Sequence, residues 1–137
     1  MDTSNLNALT GQIVDAAYKL HRAIGPGLLE SVYETVLARE LARRNIAVKR
    51  QAPLSFTYDG MNFNDAFRID LLVEDRVVVE IKSVEDFAPV HGKQLLTYLR
   101  LLNLPVGLLV NFGAPTMKQG LKRVMNGWSS PCLRGSV

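Results

Sequence analysis

A chain of 137 residues with 47% hydrophobic and 21% charged side chains suits one soluble domain around one core, and excludes a disordered polymer. A net charge of +3 and a pI of about 9.2 are compatible with a nucleic-acid partner, and equally with an enzyme of small anionic metabolites. The single cysteine, Cys132, excludes an internal disulfide and a cysteine zinc site, and the apolar run from Leu104 to Val110 is too short to cross a bilayer.

Leu6 to Ala23 carries apolar residues at helical spacing, with Ser4 or Asn5 as cap and Gly25-Pro26-Gly27 as stop. A second helix is predicted from Leu28 to Arg44, with Leu29, Val32, Tyr33, Val36, Leu37 and Leu41 as its buried stripe and Asn45 to end it. The period then changes. Val48 to Gln51 and Leu54 to Tyr58 are extended, and Asp59-Gly60 is a turn signal. Phe67 to Val73 and Val77 to Ser83 are further strands, antiparallel because Glu74-Asp75-Arg76 is too short for a parallel crossover. Ala88 to Leu102 returns to helical spacing, and Pro105 to Phe112 is a continuous apolar strand. Thr116 to Met125 reads as a short helix with Lys118, Lys122 and Arg123 outward. Residues 126–137 read as a flexible tail, which leaves one domain over residues 1–125. This order is an α/β one, a mixed central sheet with helices on its faces.

The stretch FRIDLLVEDRVVVEIKS, residues 67–83, carries the chemistry. Residues two apart on a strand share a face, so Glu80 and Lys82 point one way and Val79 and Ile81 the other. Asp70 lies on the preceding strand among Ile69, Leu71 and Leu72. Charges on apolar central strands are costly unless paired or used. Two carboxylates on adjacent strands make a hard oxygen site suited to Mg²⁺ or Mn²⁺, and a neighbouring lysine can hold an attacking water. A salt bridge between Lys82 and the two acids, without metal, is the other reading. Strand parity sets a condition. A two-residue turn at Glu74-Asp75 pairs Asp70 with Val79 and puts the acids on opposite faces. A three-residue loop, or a bulge, pairs Asp70 with Glu80 in one cleft. The loop or bulge is expected, with Asp75 suited to a left-handed conformation.

Asp70 followed by Glu80-Ile81-Lys82 resembles the D…ExK core of the PD-(D/E)xK nuclease superfamily. Gln94 to Tyr98, QLLTY, resembles the QxxxY helix motif of its RecB-like branch. Gly27 to Tyr33, GLLESVY, matches the motif of the GxxExxY protein family, and RQAPL, PVHGKQLLTYL and VGLLVNFG are similar to that family as well. The resemblance spans roughly Leu6 to Val124. It implies a restriction-endonuclease-like αβββαβ core and hydrolysis of phosphodiester bonds in nucleic acid, DNA being the expected kind, with Mg²⁺ or Mn²⁺ as cofactor. It implies Asp70, Glu80 and Lys82 as catalytic residues. Asp70 and Glu80 would be metal ligands, with the Ile81 carbonyl and with Glu30 directly or through water, while Lys82 orients water. Gln94 and Tyr98 would support the site or contact the nucleic-acid backbone. The GxxExxY family brings no established activity of its own, so function is inherited from the superfamily.

Further residues have competing readings. Tyr33 reads as core, with its hydroxyl bonded near the site. His91 contacts phosphate or metal, or bonds its own helix start. Arg68 shares the face of Asp70 and either neutralises a phosphate or pairs with Asp70. Glu34 and His21 read as surface. The densest basic region, Arg39, Arg43, Arg44, Lys49 and Arg50, is a solvated helix end or a nucleic-acid track. Three classes of function compete: a metal-dependent nuclease or nuclease-like phosphodiesterase, a non-catalytic nucleic-acid-binding or assembly module that keeps the fold, and an interaction protein whose strand edge makes a dimer. A homodimer stays open, no membrane partner is expected, and a reducing cytoplasm is the expected location. The presence of Asp70, Glu80 and Lys82 together favours catalysis.

Overall fold

The computed structural model describes residues 3–127. Helices α1 (Thr3–Ile24) and α2 (Glu30–Arg43) precede strands β1 (Val48–Tyr58), β2 (Met61–Val73) and β3 (Val77–Lys82). Helix α3 (Pro89–Leu102), strand β4 (Val106–Asn111), the single turn α4 (Met117–Gly120) and strand β5 (Leu121–Met125) follow. The strands form one mixed sheet in the order β1-β2-β3-β4-β5; β3 and β4 are parallel and the other neighbours antiparallel. The α/β expectation therefore holds, and the element order agrees with a restriction-endonuclease-like core.

Helices cover both faces of this sheet. Ile13, Ala16, Tyr33, Leu37 and Leu41 of α1 and α2 pack on Leu71, Val73, Val79, Ile81, Leu108 and Val110. On the other face, Leu95, Tyr98 and Leu99 of α3 pack on Leu54, Ile69, Val78 and Leu109. Strands β3 and β4 are covered on both sides, which is why they read as unbroken apolar runs. No described helix is long and apolar enough to cross a membrane.

The expected three-residue connection is present: Val73 opposes Val77, and Glu74 and Asp75 both lie in the left-handed region at φ 53°. Further along β2 the strand changes layers. Leu71 belongs to the α1–α2 core and Ile69 to the α3 core, although residues two apart in a regular strand share a face. The change coincides with Asp70, and with Gln51 on β1, whose φ is 49°.

Several expectations need correction. Thr116 to Met125 is not one helix: α4 stops at Gly120, and Leu121–Met125 pairs antiparallel with β4. Pairing with an open sheet edge outweighs the weak helical pattern of a segment interrupted by glycine. Strand β1 is continuous through Pro53, which an edge strand tolerates, and β2 begins six residues before Phe67. Leu29 and Val32 are exposed rather than buried: Leu29 precedes α2, which starts at Glu30, and Val32 lies off the Tyr33–Leu37–Leu41 stripe that faces the core. Asn126, expected in the tail, is tied down by bonds to the carbonyls of Pro105 and Leu104. Residues 128–137 of that tail, with Cys132, lie outside the described residues.

Candidate active site

Asp70 and Glu80 face each other where the β2–β3 ladder ends. Backbone pairing runs from Val73–Val77 to Leu71–Val79, and the same register places Asp70 opposite Glu80. There side chains replace carbonyls as acceptors. The Ile81 N–H donates to Asp70 Oδ2 at 2.8 Å, and the Asp70 N–H donates to Glu80 Oε2 at 3.4 Å.

Glu80 is only 7% exposed. Burial pushes its carboxyl up to about 9, with the Asp70 charge and a hydrogen bond to Asp70 adding to the effect. The Asp70 amide and the charge of Lys82 act in the opposite direction without overcoming burial. At neutral pH, without a cation, Glu80 keeps its proton. Lys82 makes no ion pair among the described residues, so the salt-bridge reading of the trio does not hold.

A polar chain supports Asp70 from α2. The Gln51 side-chain amide donates to Glu34 Oε1 and to Asp70 Oδ1, the latter at 3.3 Å. Glu34 also accepts from Arg50 at 3.1 Å. Glu34 is thus buried and not the surface acid expected; the change of layer at Gln51 carries Arg50 and Gln51 over α2 to meet it. Gln51 lies within the RQAPL segment already noted in the sequence, but its role was not readable there, since its position depends on that change of layer. Arg68 donates to the Gln51 carbonyl at 3.3 Å and does not pair with Asp70.

From α3, Tyr98 is packed against Phe67 with ring centroids 5.0 Å apart. Its phenol pKa is raised, first by burial and then by the charges of Glu80 and Asp70, while a bond with Gln94 works against the shift. Tyr98 therefore lies within electrostatic reach of both acids. His91 takes the local reading: its Nδ1 accepts the Ala88 N–H at the start of α3, at 3.1 Å. His21 is buried against Phe112 and bonds the Ala114 carbonyl, contrary to its surface reading.

Glu30 arrives from the opposite layer. It begins α2 and accepts the Ser83 N–H at 3.3 Å, one residue beyond Lys82, while Ser83 Oγ donates to the Leu28 carbonyl. Among the described residues no three acidic, histidine or cysteine side chains converge as a ready metal cluster. The GLLESVY segment is a short loop clamped onto the first turn of α2. Gly27 has φ 108°, a conformation closed to L side chains. Tyr33 is buried, stacks on Phe112 at 4.4 Å, donates to the Gly25 carbonyl at 2.6 Å and accepts the Leu28 N–H at 3.1 Å.

The profile of the PD-(D/E)XK nuclease superfamily matches residues 7–124. The chain belongs to that superfamily. No curated protein matches it by sequence. PD-(D/E)XK nucleases are hydrolases that generally use a divalent metal ion, and the chain offers donors of the right kind. The opposed carboxylates of Asp70 and Glu80 are hard oxygen ligands, and each keeps lone pairs beyond those used by the amides.

Proposed function

We propose that this chain is a Mg²⁺- or Mn²⁺-dependent nuclease of the RecB-like branch, related to the GxxExxY family, that hydrolyses phosphodiester bonds in nucleic acid, DNA being the kind expected. The observation that carries the reading is the opposition of Asp70 and Glu80 at the end of a ladder, with Lys82 two residues on along β3. The branch assignment rests on Tyr98, within electrostatic reach of both acids, and on Gln94 bonded to it, and the family assignment on the clamp made by Gly27, Glu30 and Tyr33.

Asp70 and Glu80 would hold the ion together with the Ile81 carbonyl, and Glu80 would give up its proton to do so. When bound, the ion would polarise a phosphoryl oxygen and lower the pKa of the attacking water. Lys82 would orient that water and offset negative charge as the phosphorus becomes five-coordinate. Glu30, fixed at Ser83, would act through water rather than as a direct ligand. Tyr98, Gln94 and Arg68 would contact the substrate backbone, Tyr33 would hold the loop beneath Glu30, and His91 would fix the start of α3.

The test is calorimetric titration with Mn²⁺, beside incubation with DNA and RNA substrates with and without the ion. Stoichiometric binding and Mn²⁺-dependent cleavage, both lost in Glu80→Ala, are expected. Nucleic-acid binding without Mn²⁺ binding or cleavage would instead identify a non-catalytic module.

A further inference from the structure

Charge is unevenly divided along this chain. Residues 87–127 hold five basic residues, Lys93, Arg100, Lys118, Lys122 and Arg123, and neither aspartate nor glutamate. In the region densest in basic residues, between Arg39 and Arg50, three of the five are neutralised, while Arg39 and Arg43 on α2 make no ion pair among the described residues. Arg44 pairs with Glu40 and Asp15, Lys49 with Asp75, and Arg50 with Glu34. Lys93, Arg100 and Lys122 are exposed and make no ion pair among the described residues.

These three cations gather on the α3 side of the sheet. Lys122 opposes Leu109, and Leu109 opposes Glu80, so Lys122 stands in the same row and on the same face as Glu80. Two strand spacings separate them, roughly 10 Å. The Lys122 ammonium reaches the first turn of α3: a Cβ built on Gly92 would lie 3.1 Å from its Nζ. Glycine leaves it room there. Lys93 is the next residue, and Arg100 follows two turns along the same flank of the helix, about 10 Å further. Arg123 alternates to the other face, where it bonds Asn7 of α1. On the far side of the cleft, residues 55–66 of the β1–β2 hairpin contain Asp59 and Asp65 and no basic residue.

We propose that Lys93, Arg100 and Lys122 form a track for the phosphate backbone of a nucleic acid, which approaches the Asp70–Glu80 cleft over α3 from the β5 edge and is turned away by the acidic hairpin. The identity of the polyanion rests on the nuclease reading; the position of the track rests on charge and register alone. Regularly spaced cations without carboxylate rivals suit a phosphodiester chain, whose affinity arises from counterion release.

The experiment measures binding of labelled duplex and single-stranded DNA and RNA in EDTA, where metal-dependent cleavage is silent, over a range of salt concentrations. Each lost phosphate contact lowers the slope of log affinity against log salt by about 0.9 on duplex and about 0.7 on single strands. The Lys93→Ala/Arg100→Ala/Lys122→Ala variant should therefore lose roughly 2–3 units of slope, with its thermal unfolding unchanged. Arg39→Ala/Arg43→Ala, on α2, should lose none. An unchanged slope in the triple variant, a loss in the α2 variant, or tighter binding of polyglutamate than of nucleic acid overturns the track. A wild type that shows the salt-dependent track but cleaves nothing in Mn²⁺ supports the track and overturns the nuclease reading. Cleavage with no effect of the triple variant does the reverse.

Discussion

Asp70 and Glu80 brace each other's strands: the Ile81 N–H beside Glu80 donates to Asp70, and the Asp70 N–H donates to Glu80. Backbone pairing has already stopped at Leu71 and Val79, so these two bonds hold the end of the β2–β3 ladder. The candidate site and the last rung of the sheet are the same structure. Substituting either acid will act on stability as well as on chemistry, and the two effects must be read separately.

Glu80 gives the stability of this protein a definite slope with pH. Its folded-state pKa of about 9 lies above the ordinary 4.5, so between those values the folded chain binds the extra proton. Stability from this group is complete at low pH and declines as pH rises toward 9. Glu80→Gln keeps the neutral form and should be the more stable protein at pH 8, by on the order of 1–4 kcal/mol, with the gap closing toward pH 5. Urea unfolding at the two pH values measures it. A gap independent of pH would show that Glu80 is ionised in the fold.

Tyr33→Phe should loosen the loop ahead of α2 without disturbing the core. The ring keeps its stacking on Phe112, while the Gly25 carbonyl and Leu28 N–H lose their shared partner. A loss of about 1–2 kcal/mol is expected. Faster hydrogen exchange confined to residues 25–30 would locate the change; exchange spread across the sheet would contradict a clamp.

Much of this site was legible in the sequence because its determinants are local. Parity named the condition, a three-residue loop or a bulge, under which Asp70 opposes Glu80, and the Glu74-Asp75-Arg76 loop meets it. The roles of Glu34 and Gln51 were not legible, since they depend on a change of layer at a left-handed residue that bears no glycine or asparagine as a marker. Strand β5 was misread for a similar reason. Leu121, Lys122, Arg123, Val124 and Met125 carry no strong period, and the vacant edge of β4 decides their conformation. Ion pairing between distant segments likewise altered the charge map, neutralising Arg44, Lys49 and Arg50 within the densest basic stretch.

Asp75→Gly tests the loop that sets this register. Asp75 is left-handed at φ 53°, and its ion pair with Lys49 is exposed on both sides. Such a pair contributes little, whereas relief at a left-handed position is worth more. Stability should rise by about 0.5–1 kcal/mol in urea unfolding, with the Glu80 pH dependence preserved. A fall in stability would mean that the Lys49 pair outweighs the backbone.

Lys82→Ala should separate ion binding from chemistry. If Glu80 holds the ion as proposed, binding requires it to release its proton, so the Mn²⁺ affinity of the wild type should rise up to about tenfold per pH unit below pH 9. The charge of Lys82 favours ionised Glu80. Removing it should raise the Glu80 pKa further and weaken Mn²⁺ binding at pH 7, an effect that a more alkaline buffer restores. In the proposed mechanism Lys82 orients water and offsets transition-state charge, so cleavage should not be restored; a residual deficit of about 10²–10³ is expected at saturating Mn²⁺. Glu80→Ala, in contrast, should lose binding at every pH. If Lys82→Ala recovered full cleavage along with Mn²⁺ affinity at high pH, Lys82 would be a positioning residue acting only through the ionisation of Glu80.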